Sequence, residues 1–116
     1  MPDNTFSKVH TIGIILNGVT GRMGTNQHLL RSMVAIRDQG GIPIGNNEVI
    51  MPDPILVGRN AAKLKKLCDI SGFNKMTTDL EEALQDDHNQ IYFDAQITGR
   101  RYHAVKRAIE LGKHIY

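Results

Sequence analysis

From Ile12 to Gly24 the chain reads Ile-Gly-Ile-Ile-Leu-Asn-Gly-Val-Thr-Gly-Arg-Met-Gly, and few folds accommodate that order. The apolar run Ile12, Ile14, Ile15 and Leu16 stops abruptly at Asn17. Gly18, Gly21 and Gly24 follow, and beyond them Met23, Leu29, Leu30, Met33, Val34 and Ile36 recur at helical spacing. A buried strand, a glycine turn and a helix in that order predict a pyrophosphate site. Gly18 permits the tight turn, Gly21 lets phosphate oxygens approach the backbone, and Gly24 lets the helix close on the strand. The backbone N–H groups from Val19 through Thr20, Gly21, Arg22 and Met23 to Gly24 then point at the ligand, with the positive end of the helix dipole behind them. The spacing G-x-x-G-x-x-G differs from the commoner G-x-G-x-x-G, so a purely structural glycine turn stays open as an alternative.

The rest of the chain bounds what can surround that turn. Its 116 residues, 41% of them hydrophobic, suit one domain with a real core. A net charge of +2 gives no reason to expect nucleic acid or an anionic membrane as partner. No apolar stretch reaches the roughly 20 residues of a membrane span, and Met1 to Thr5 lead into no secretory signal. The single cysteine, Cys68, forms no intrachain disulfide, which fits a cytoplasmic location. The five histidines, His10, His28, His88, His103 and His114, show no metal-ligand spacing, so no metal is expected.

Strand and helix signals alternate. The first strand is expected over about His10–Asn17 and the first helix over about Arg22–Asp38, stopped by Gly40 and Gly41. Residues 42–53 read as a small hairpin around Gly45-Asn46-Asn47-Glu48, which Pro52 and Pro54 should end before the strand Ile55-Leu56-Val57. A helix from about Asn60 to Ser71 follows, with Ala61, Leu64, Leu67 and Cys68 on one face and Gly72 as its stop. A brief strand over Phe73–Met76 precedes a short helix that Thr78 and Glu81 open as a capping box. Ile91–Ala95 is the next strand. The last helix spans about Arg100–Leu111 with the stripe Tyr102, Val105, Ala108 and Ile109, and a strand begins at Lys113. Right-handed crossovers turn this order into an α/β, three-layer Rossmann-type fold. Its parallel sheet has about five strands in the order 3-2-1-4-5, with helices on both faces. Ligand belongs at the carboxyl ends of the first and fourth strands, where the winding reverses.

The end of the second strand selects the dinucleotide. An acid there would bond both ribose hydroxyls and favour NAD. Here Val57-Gly58-Arg59-Asn60 offers no carboxylate, and Arg59 can pair with a 2′-phosphate, with Asn60 and Lys63 adding donors. The expectation is NADP, with NAD open. Asp94, an acid near the end of a buried strand, needs a partner that the sequence does not name. Arg100, Arg101, Lys106 and Arg107 read as a solvated basic face.

Gly18-Val-Thr-Gly-Arg-Met-Gly24, together with Ala108-Ile-Glu-Leu-Gly-Lys-His-Ile-Tyr116, resembles the Gfo/Idh/MocA oxidoreductases over nearly the whole chain. The Gly112-Lys113-His114 segment is the most specific part. The resemblance implies that residues 1–116 are an NAD(P)-binding domain, followed in that family by a larger domain that carries the small-molecule substrate and often the contacts of a homo-oligomer. In the family a Glu-Lys-Pro motif comes next, and this chain stops at Tyr116 before it. It also implies that Ala95 to Thr98 line the nicotinamide approach. Counting back from Gly112 places Gln96 in the family's threonine slot, whereas residue identity favours Thr98. The function implied is hydride transfer on a hydroxyl or carbonyl substrate, sugar-like by that resemblance, with this part alone inactive. A stand-alone NADP(H)-sensing domain is a second reading. Tyr102-His-Ala-Val-Lys106 matches the Tyr-x-x-x-Lys pair of short-chain dehydrogenases, but its position favours a packed tyrosine beside a surface lysine. Gly-Arg-Met-Gly is also similar to dihydrodipicolinate reductase.

Overall fold

The computed structural model describes residues 8–18, 23–94 and 98–115; side chains are described from Leu30 in the first helix and from Arg101 in the last. The elements are β1 (Lys8–Asn17), α1 (Met23–Asp38), β2 (Ile42–Gly45), β3 (Glu48–Val57), α2 (Ala61–Ser71), β4 (Met76–Thr77), α3 (Leu80–Gln85), β5 (Asn89–Asp94), α4 (Thr98–Glu110) and β6 (His114–Ile115). β1 pairs in parallel with β3 on one side and β5 on the other, β5 with β6, and β3 with β4. These five strands carry the expected order, β4-β3-β1-β5-β6. β2 is an antiparallel addition on β3.

Two cores lie on opposite faces of the sheet, as alternation along each strand requires. Ile14, Leu16 and Leu56 pack against Leu30 of α1 and Leu64, Leu67 and Cys68 of α2. Ile15, Val57 and Tyr92 pack against Ala83 and Leu84 of α3 and Ala104 and Ala108 of α4. Cys68 is thus the small core residue its helical position suggests. Ala61, expected on the same face, is exposed.

The hairpin turns at Asn46 and Asn47, both left-handed (φ 50° and 65°), a conformation that asparagine tolerates. Pro52 and Pro54 do not end it. β3 runs through both prolines and is itself the second parallel strand. Leu56 donates its N–H to Lys75 on the β4 side, and residues of the same parity share that direction. The missing N–H groups of Pro52 and Pro54 therefore fall on the edge between the stretches covered by β2 (Glu48–Ile50) and β4 (Leu56–Val57), where no strand pairs among the described residues.

Three further expectations are corrected. The strand expected over Phe73–Met76 is Met76–Thr77, starting where Lys75 has already met Leu56. The cap of α3 is Asp79, whose carboxylate accepts from Glu82 N at 3.3 Å, rather than Thr78. Tyr102 is not packed. It is 66% exposed, as is Ile109 at 60%, because α4 seats its small residues Ala104 and Ala108 on the sheet.

Candidate dinucleotide site

The sheet delivers three strand ends to one level. Asn17, the last residue of β1, stands opposite Val57 of β3 and Asp94 of β5. Gly18 and the Gly58-Arg59-Asn60 corner thus leave the sheet side by side. The chain crosses from β1 through α1 to β3 on one side, while β5 lies on the other, so the reversal of winding falls between β1 and β5. Open α/β sheets place their ligands at such a point.

Local chemistry fits a diphosphate. Gly18 adopts φ 87°, a left-handed value that costs glycine little and other residues much. Its N–H donates to Val57 O at 2.9 Å, which locks the start of the turn to the neighbouring strand. That amide is used by the sheet. Val19, Thr20, Gly21 and Arg22 lie outside the described residues, as do Ala95 and Gln96. Met23 and Gly24 form the first residues of α1, and Thr98 is the first of α4, slightly earlier than the sequence pattern suggested for that helix. Two helix N-termini therefore rise from the same end of the sheet as the turn.

Gly58 is buried, with its N–H 3.4 Å from Thr77 O. Arg59 beside it is exposed, and among the described residues no carboxylate is paired with it. Asn60 is the N-cap of α2, its Oδ1 accepting from Lys63 N at 3.1 Å. That leaves only the Asn60 NH₂ group to donate to a ligand.

Behind the strand ends lies a buried polar chain that pattern reading missed. Asn17 is 3% exposed and donates from Nδ2 to the Tyr92 hydroxyl at 2.8 Å. That hydroxyl donates to Asp94 Oδ2 at 2.7 Å. Arg101 Nε lies 3.6 Å from Asp94 Oδ1, and the Asp94 side chain is 3% exposed. Arg101 thus leaves the role of a merely solvated cation and supplies charge to the acid that needed a partner. Burial, together with Asp94, pushes the Tyr92 phenol well above its ordinary range against the opposing bond from Asn17. It stays protonated and able to donate. The one signal in sequence was Asp94 itself.

Comparison with known proteins agrees with this geometry. The chain is 41% identical over 110 residues to a D-xylose dehydrogenase of Paenarthrobacter nicotinovorans, covering 95% of this chain and 28% of that protein. Among solved structures it is similar to levoglucosan dehydrogenase in complex with NADH and L-sorbose (TM-score 0.64, 21% identity, 93% of this chain and 26% of that one). It also resembles S. aureus homoserine dehydrogenase (TM-score 0.55, 22% identity, 93% and 25%). These likenesses establish the fold. No protein-family model matches the chain. The chain spans just over a quarter of the length of the curated relative it matches.

Among the described residues no group of three or more His, Cys, Asp or Glu side chains is arranged to hold a metal. Among them, too, no helix is long and apolar enough to cross a membrane.

Proposed function

We propose that this chain is the cofactor-binding part of a dehydrogenase and that it binds NADP(H) in preference to NAD(H). The observation that carries the reading is the shared level of Asn17, Val57 and Asp94, with Gly18 in a left-handed turn. Helix N-termini beside such strand ends would favour a diphosphate. The preference for NADP(H) is supported by exposed Arg59 and by the lack of an acid at the end of β3, because a guanidinium pairs with a 2′-phosphate and a carboxylate would repel it. The cofactor supplies the hydride chemistry, and the protein supplies orientation and charge.

The substrate is proposed to be a small sugar-like molecule oxidised at a hydroxyl or reduced at a carbonyl, in keeping with the D-xylose dehydrogenase relative. A second domain of the whole protein would bind it and carry the contacts of a homo-oligomer, and the location would be cytoplasmic. Calorimetric titration of the chain with NADPH and NADH tests the central part. Tighter binding of NADPH is the expected result. Absence of binding by both below the millimolar range overturns the dinucleotide reading, while tighter NADH binding overturns only the role of Arg59.

A further inference from the structure

We propose that Asn17, Tyr92 and Asp94 form a positioning chain that fixes the two strand ends flanking the crevice, so that dinucleotide affinity depends on the Tyr92 hydroxyl. The inference rests on the dinucleotide reading above and adds Tyr92, a residue that reading does not require.

Tyr92 is fully buried at the centre of the sheet, among Ile15, Val57, Ala83, Leu84 and Ala104. A phenylalanine would satisfy that packing. A buried hydroxyl is costly unless bonded, and here it both accepts and donates: from Asn17 at 2.8 Å and to Asp94 at 2.7 Å. Its partners are no ordinary pair. Asn17 immediately precedes Gly18, where the glycine turn departs, and Asp94 immediately precedes residues 95–97. The hydroxyl thus joins the last residues of β1 and β5, which stand opposite each other in register. The backbone ladder holds the strands together, and this side-chain link ties the side chains of both end residues to one hydroxyl. Arg101 extends the link to the first turns of α4. Tyr92 touches no cofactor in this scheme. It acts through Asn17 and Asp94.

The direction of the bonds gives a test that stability alone does not mimic. Asn17 donates, the hydroxyl passes the bond on, and Asp94 accepts. Tyr92→Phe should weaken NADPH binding about tenfold, the scale of one buried hydrogen-bond link. Asn17→Asp sets two carboxylates on one hydroxyl and should weaken it at least as much. Asp94→Asn leaves an acceptor at position 94 and should have a smaller effect. Combining Asn17→Asp with Asp94→Asn reverses both bonds of the hydroxyl and should restore affinity to within about threefold of the unaltered chain. Thermal midpoints are recorded beside each Kd. If the single variants lower the midpoint but leave Kd unchanged, or if the double variant binds no better than Asn17→Asp, the positioning role is overturned. Tyr92→Phe keeps the ring and decides the matter by itself where Asn17→Asp does not fold. Failure of the unaltered chain to bind NADPH or NADH overturns the dinucleotide reading and this inference together.

Discussion

Lys113 Nζ donates to the backbone carbonyl of Asp86 at 2.9 Å, and Lys113 is buried (9% exposed). The lysine of the Gly-Lys-His segment therefore works inside the fold, at the C-terminal end of α3. A cation is favoured there by the helix dipole. Asn89 serves the same helix end, donating from Nδ2 to Ala83 O at 2.9 Å.

Lys113→Met keeps the apolar stem and removes the charge. Asp86 O still accepts from Asn89 N at 3.0 Å, so it is not left bare. A loss of about 1 kcal/mol in urea unfolding is expected, the net value of a single hydrogen bond. Dinucleotide Kd should not move, since the contact lies away from the strand ends that form the crevice.

Gly13 should resist substitution far more. A Cβ there would lie 2.7 Å from Asn89 Oδ1 and 2.9 Å from Asn89 Cα, and would also collide with the His88 carbonyl. Much of what it meets is backbone, at the point where the β1–β5 register shifts. Gly13→Ala should therefore cost about 1–3 kcal/mol through overpacking. Equal urea midpoints for variant and unaltered chain would show that β5 does not approach β1 this closely.

The alternation of strands and helices, the left-handed Gly18, the Asn46-Asn47 turn and the order of the parallel strands were all legible in the sequence. Each depends on local spacing or on the handedness of crossovers. The errors arose where the answer depended on a neighbour. Pro52 and Pro54 break a strand only if their missing N–H groups face a partner, and the gap between β2 and β4 is a tertiary fact. The stripe on α4 has the right period, but periodicity cannot tell that alanines permit the closer approach and leave Tyr102 outside. Tyr92 bonds to a residue 75 positions away, and nothing in its own surroundings announces that. Arg37 is a similar case: it donates to Ser71 O at 2.7 Å and lies over the Phe73 ring, joining α1 to the end of α2.

Acid should act on Asp53. Its carboxylate accepts from Lys75 Nζ at 2.6 Å and contacts His88 Nε2 at 2.7 Å. Burial raises its pKa, but the bonds and charges of Lys75 and His88 outweigh that and hold it below the ordinary 3.8. A carboxyl whose folded pKa is depressed stabilises the fold above its unfolded pKa, and that stability is lost as pH falls through the folded value. Stability should therefore decline on acidification below about pH 4, a window set by the ordinary carboxylate range. Asp53→Asn should flatten this part of the curve, in urea titrations on the order of one pH unit apart. An unaltered acid limb in the variant would remove Asp53 from the account.

Arg59 offers the sharpest test of cofactor choice. It is exposed at the end of β3, beside the level at which the glycine turn begins, and no carboxylate among the described residues competes for it. Arg59→Ala should weaken NADPH by about 1–3 kcal/mol, as for a lost charged hydrogen bond, with little effect on NADH. Asn60→Ala should behave differently. Its Oδ1 caps α2 through Lys63 N, so its removal should lower fold stability by about 1 kcal/mol while costing NADPH less than the arginine does. Since the contact of Arg59 with phosphate would be charged and solvent-facing, raising salt should narrow the NADPH preference of the unaltered chain. It should leave that of Arg59→Ala nearly constant. Isothermal titration at low and high salt reads all of these. Equal losses for NADPH and NADH on removing Arg59 would place the guanidinium on the adenine or diphosphate, and the preference would then need another source.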